Sequence, residues 1–165
     1  MVDTNIISHA LIPNQTAAYS ELFRVLEQEY RFAVSGFTRF ELLRSSDRKN
    51  QEKILTYIQG EMISVDLSNV LIDFSARVSN LYAKHPSTKG YKIGEGDIIN
   101  AALAIAKDCP VLTIDSLDYP TPFFQEIDRR RVEYSSSRGR EVVDTVYILK
   151  PDMDNIKYCF GEHRI

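Results

Sequence analysis

A chain of 165 residues with 44% hydrophobic and 26% charged side chains can bury one full core, a balance that excludes intrinsic disorder and leaves too little length for two comfortable domains. No apolar run is long enough to span a bilayer and the start, "MVDTN", has no basic segment followed by an apolar stretch, so the expected compartment is the cytoplasm, with no membrane partner. The net charge of −3 offers nothing to a polyanion by itself, although Arg129, Arg130, Arg131, Arg138 and Arg140 crowd into "DRRRVEYSSSRGR". That run reads equally well as a phosphate-binding patch and as a hairpin kept soluble by arginine. Cys109 and Cys159 lie far apart with no CxxC and no Cys/His neighbours, the pattern of ordinary thiols in a reducing compartment.

In chain order, Met1-Val2 reads as a minimal strand ending at Asp3. Ala18, Leu22, Phe23, Leu26 and Tyr30 recur at helical spacing and predict a helix over roughly 15–30. "RFAVSGF" predicts a short strand ending near Gly36, and "TRFELLRSSDRKNQEKILTYIQG" one helix or two, opened by a Thr38/Glu41 capping box. "MISVDLS" predicts a second strand, "NVLIDFSARVSNLYAKH" a helix, and "PSTKGYKIGEG" a turn-rich link. "DIINAALAIAKDC" is a small-residue helix and "PVLTID" an apolar strand covered on both faces. Beyond them, "RRRVEYSSSRGREVVDTVYILKP" reads as a hairpin and "PDMDNIKYCFGEHRI" as a short terminal segment.

Strands alternating with helices imply a parallel sheet, because parallel neighbours need crossover connections. In such α/β sheets ligands bind beyond the carboxyl ends of the strands. Four acids fall at strand ends or helix starts: Asp3 after Met1-Val2, Glu41 in the helix after "RFAVSGF", Asp97 after Gly94 and Gly96, and Asp115 at the end of "PVLTID". Singly, each reads more simply as a cap or a turn residue. If the strand ends are adjacent, four carboxylates converge on one spot, and like charges at that density call for a divalent cation with oxygen ligands.

Four segments in this order resemble the motifs of the PIN domains, nucleases best known as the toxin halves of VapC-type toxin-antitoxin pairs. "DTN" (Asp3, Thr4, Asn5) resembles the opening motif, "TRFELLRS" the T-x-x-E-L-L segment, "GDIINAALAIA" the D-x-x-I-A-A-x-A helix, and "LTIDSLDY" the T-x-D-x-x-D-F strand end, with Thr113, Asp115 and Asp118. The resemblance covers roughly residues 1–127. It implies a three-layer α/β/α domain with a central parallel sheet, and a Mg2+- or Mn2+-dependent endoribonuclease whose metal is held by Asp3, Glu41, Asp97 and Asp115. It further implies that Thr4, Asn5 and Thr113, with Asp118 beyond them, support those carboxylates, that RNA is the substrate, that an antitoxin is a partner in the toxin case, and that the chain forms homodimers.

The chain departs from the pattern in three places. Only two residues precede Asp3, so either the true start lies upstream or the central strand is stunted; Asn100 stands where an aliphatic residue is usual; residues 128–165 have no counterpart, and are expected to form a hairpin and tail packed on the same single domain. His9, His85 and His163 are read as structural, since oxygen-ligated metal chemistry does not need them. Two other functions compete with the nuclease: an inactive PIN-like module that binds RNA or protein, and a phosphatase forming an aspartyl-phosphate. The last usually needs two neighbouring aspartates at the first strand end, where "VDTNI" has one.

Overall fold

The computed structural model describes residues 1–162. His163 and the two residues after it lie outside them. Chain order is α1 (Thr4–Ala10), α2 (Thr16–Leu26), β1 (Ala33–Ser35), α3 (Gly36–Arg44), α4 (Arg48–Glu61), β2 (Ile63–Val65), α5 (Asn69–Lys84), α6 (Glu95–Lys107), β3 (Val111–Thr113), a 3-10 turn (Ser116–Asp118), β4 (Phe124–Ser135), β5 (Glu141–Pro151) and α7 (Met153–Glu162). β1 and β2 pair in parallel; β3, β5 and β4 form an antiparallel set in the order β3-β5-β4.

The first three residues knit the two sets together. Val2 N–H donates to Ala33 O (2.8 Å), Leu112 N–H to Met1 O (2.8 Å) and Asp3 N–H to Leu112 O (3.0 Å), and Val2 bridges Leu112 in parallel. Among the described residues the first strand makes one bridge, Val2 to Leu112. Strand side chains alternate between two faces. Val2, Val34, Leu112 and Ile148 pack with α1–α4 on one side; Met1, Ala33, Val111 and Leu149 pack with α5–α7 on the other. These are the three layers of an α/β/α domain.

The segment after Asp3 is helical as α1, capped by Asp3, whose Oδ1 accepts from Thr4 N–H (2.7 Å), in line with the cap reading of that acid. One expectation needs correction. The Thr38/Glu41 capping box does not form. Ser35 caps α3 one turn earlier, accepting from Thr38 N–H (3.0 Å), so Thr38 is buried inside the helix and Glu41 sits in its second turn.

The tail is a long hairpin with a register shift between Glu126 and Asp128. Thr113 pairs with Tyr147, so residues Glu141–Val146 of β5 run on past the carboxyl end of β3, a projection of about 20 Å at strand rise. Val132 and Val146 pack into the core of the α1–α4 layer. A polar cluster ties the same parts: Tyr19 Oη donates to Asp144 Oδ2 (2.7 Å), and His9 Nδ1 lies 2.9 Å from that oxygen. Among the described residues no helix is long and apolar enough to cross a membrane.

Candidate metal centre

Asp3 lies at the carboxyl end of the first strand and is only 2% exposed. An ionised carboxylate in that position must be hydrogen-bonded. Thr113 Oγ1 (2.7 Å) and Asn5 Nδ2 (3.0 Å) donate to Oδ2; Thr4 N–H (2.7 Å) and, at 3.4 Å, Asn100 Nδ2 donate to Oδ1. Burial still outweighs these donors and raises the Asp3 pKa, with Glu41 adding to the rise. Thr4 Oγ1 donates to Glu41 Oε2 (2.7 Å), so the residue that follows one acid holds another.

Glu41 and Asp97 approach each other through missing side chains. A Cβ on Gly96 would stand 3.0 Å from Glu41 Oε2 and 3.0 Å from the Phe37 ring, and one on Gly94 only 2.5 Å from Asp97 Oδ2. Glycine at both positions lets the start of α6 settle against α3 with the Asp97 carboxylate folded over the backbone. Asp97 lies in the first turn of α6, where the helix dipole favours negative charge. Even so its pKa is pushed up to about 7, first by burial and then by Asp3, Asp118, Glu41 and Asp115.

Asp115 and Asp118 bracket the 3-10 turn. Asp115 is exposed and caps the turn through Leu117 N–H (3.1 Å). Asp118 is half-buried, and burial followed by Asp115 and Asp3 raises its pKa to about 6. Asp118, expected to support the carboxylates, interacts with Asp3, Asp97 and Asp115.

Beneath the acids runs a buried polar network that sequence reading missed apart from Asn100. Ser35 Oγ donates to Asn100 Oδ1 (2.8 Å), and Asn100 Nδ2 donates to Thr38 Oγ1 (3.2 Å). The buried Tyr119 hydroxyl faces Asp3 and Asn100, and burial and the charges of Asp3 and Asp97 drive its pKa well up. The one available signal was a polar residue on an otherwise small and apolar helix.

The arginine run divides. Arg129 makes a two-pronged pair with Glu126 (2.6 and 3.0 Å), Arg130 pairs with Asp128 (2.6 Å) and Arg131 with Glu133 (3.3 Å). Arg138 and Arg140 sit exposed at the hairpin turn and make no ion pair among the described residues. His9 is engaged with Asp144 and His85 with Ser87 (2.7 Å); neither is bonded to the acids.

A parallel core flanked by helices on both faces, with acids near its carboxyl ends, defines a three-layer α/β/α domain with its candidate site at those ends. The family model of the PIN domain matches residues 1–117, and the chain belongs to that family. No curated protein and no solved structure matches the chain. PIN-domain nucleases typically use divalent metal ions. Among the described residues no group of three or more His, Cys, Asp or Glu side chains is placed so that it could hold a metal ion. The donors are nonetheless all carboxylate oxygens, the hard ligands Mg2+ and Mn2+ prefer, and Asp97 carries a charge excess that a cation would relieve. In chemistry and charge the residues fit a divalent ion.

Proposed function

We propose that the protein is a Mg2+- or Mn2+-dependent endoribonuclease that hydrolyses RNA phosphodiester bonds. The observation that carries this reading is that Asp3, Asp118, Glu41 and Asp115 all lie close enough to act on the half-buried Asp97 carboxyl, which burial first and then these charges push up to about 7. Asp97, Glu41, Asp115 and Asp118 would hold the metal, with Asp3 as the walled-in floor. When bound, such an ion supplies an acidified water as nucleophile and countercharge for the phosphoryl oxygens. The chain's own groups orient the ligands: Thr4 fixes Glu41, while Asn5 and Thr113 fix Asp3. Arg138 and Arg140 at the projecting hairpin turn are the cations left over for RNA phosphates, since Arg129, Arg130 and Arg131 are already paired.

The same reading places the protein in the cytoplasm as a VapC-like toxin, working as a homodimer and held in check by an antitoxin. Its test is RNA cleavage by the purified protein with Mg2+ or Mn2+, abolished by EDTA and restored by adding back the ion. RNA binding without cleavage under any metal condition would turn the conclusion to a binding module.

A further inference from the structure

Next to the acids lies a cleft of about 300 Å3 whose lining includes Ser87, Tyr91, Ser116, Leu117, Tyr119 and Phe124. Its lining takes in Ser116, Leu117 and Tyr119, so it adjoins the 3-10 turn that carries Asp115 and Asp118 although none of the five acids lines it. Its walls are fixed in advance. Ser87 Oγ donates to Thr121 O (3.1 Å), the His85 ring meets Phe123 edge-on (5.1 Å), and the buried Thr88 donates to Tyr82 O (2.5 Å), while Tyr91 N–H closes the turn onto Thr88 O (3.0 Å). On the opposite wall the 3-10 turn is pinned by Asp115, and Tyr119 packs edge-on against Phe124 (5.4 Å).

On these fixed walls two large apolar side chains stand out in solvent, Tyr91 at 56% exposure and Leu117 at 70%. Leu117 sits directly between two of the site's acids, where an apolar side chain does nothing for a bare ion. Exposed apolar side chains around a preformed cleft mark a binding surface. No Lys or Arg lines the cleft, so it does not recruit a second phosphate, and the one charged lining residue, Glu126, is engaged by Arg129 (2.6 and 3.0 Å). Its volume is at the bottom of the roughly 300–1,000 Å3 range of small-ligand pockets, suited to one planar ring and too small for a peptide helix.

We propose that this cleft takes a single unpaired nucleobase of the RNA strand, stacked on Tyr91 and against Leu117, with the Ser87 and Ser116 hydroxyls at its polar edge. The inference rests on the ribonuclease reading. Bases of a duplex are already stacked on each other, so the cleft selects single-stranded segments, loops or ends.

The chain contains no tryptophan, so Tyr91→Trp installs a unique fluorophore in the cleft. In an Asp97→Asn background, which spares the strand, a single-stranded oligoribonucleotide should quench that fluorescence, and the same strand made abasic should not. In the parent protein Tyr91→Ala and Leu117→Ala should each raise KM for a single-stranded RNA about tenfold, the scale of one lost stacking contact, with Tyr91→Phe behaving as the parent. Fluorescence that the intact strand leaves unchanged, equal quenching by the abasic strand, or alanine variants that cleave like the parent would overturn the cleft assignment. Cleavage by the parent in those cases would leave the nuclease reading standing. Base-dependent quenching in a protein that never cleaves would keep the cleft and remove the nuclease.

Discussion

Asp97 holds its proton up to about pH 7, against an ordinary 3.8, because it is half-buried among acids. The folded chain thus binds that proton more tightly than the unfolded chain, and the linkage has a definite sign. The stabilising contribution is whole below about pH 4 and is lost as pH rises toward 7, with Asp118 losing its own share between about 4 and 6. In EDTA, Asp97→Asn should therefore be more stable than the parent at pH 8 by about 1–2 kcal/mol after solvent screening of a half-buried group is allowed for. Thermal melts should show a gain of a few degrees at pH 8 that vanishes at pH 4; a variant less stable than the parent at pH 8 would contradict it. Asn100 works the other way. Asn100→Ala leaves the buried Ser35 and Thr38 hydroxyls short of a partner and should cost about 1–3 kcal/mol in urea unfolding. An unchanged urea midpoint would show that the network carries no load. The acids were legible in the sequence because strand ends and helix starts are local features. The network beneath them was not, because Asn100 lies 65 and 62 positions from Ser35 and Thr38, and only tertiary packing brings them together.

At the scale of elements, the alternating strands and the amphipathic helices α2 and α5 could be read from periodicity. α1 could not, being seven residues long and too short for a periodicity, although a cap was among the readings of Asp3. The capping box went to the wrong threonine because Ser35, three residues earlier, offers the same hydroxyl. The hairpin was legible, but the use of its arginines was not. Arg129, Arg130 and Arg131 spend their charge on acids of their own strand, which lies at the outer edge of the sheet and gains solubility from charge there. The double substitution Arg138→Glu, Arg140→Glu should weaken RNA binding and flatten its salt dependence by about 1.4 in log-log slope, two contacts at roughly 0.7 each for a single strand. Arg130→Gln should leave that slope unchanged. Equal effects from both sets would mean that the turn is not the contact.

For the molecule as a whole, the decisive arrangement is that the first strand, the second turn of α3, the start of α6 and the 3-10 turn after β3 bring five acids from four stretches of chain to one end of the sheet. Burial and the neighbouring charges raise the Asp97 pKa, and in the proposed function a divalent cation would offset them. The measurement that tests this most directly is the single-turnover rate of cleavage of a labelled single-stranded RNA as Mn2+ is raised, for the parent and for Asp97→Asn. The parent rate should rise from nothing and saturate, and the variant should fall at least about a hundredfold below it, the scale of a lost electrostatic contribution to the transition state. A variant that cleaves at the parent rate, or a parent rate indifferent to the metal, would contradict the account.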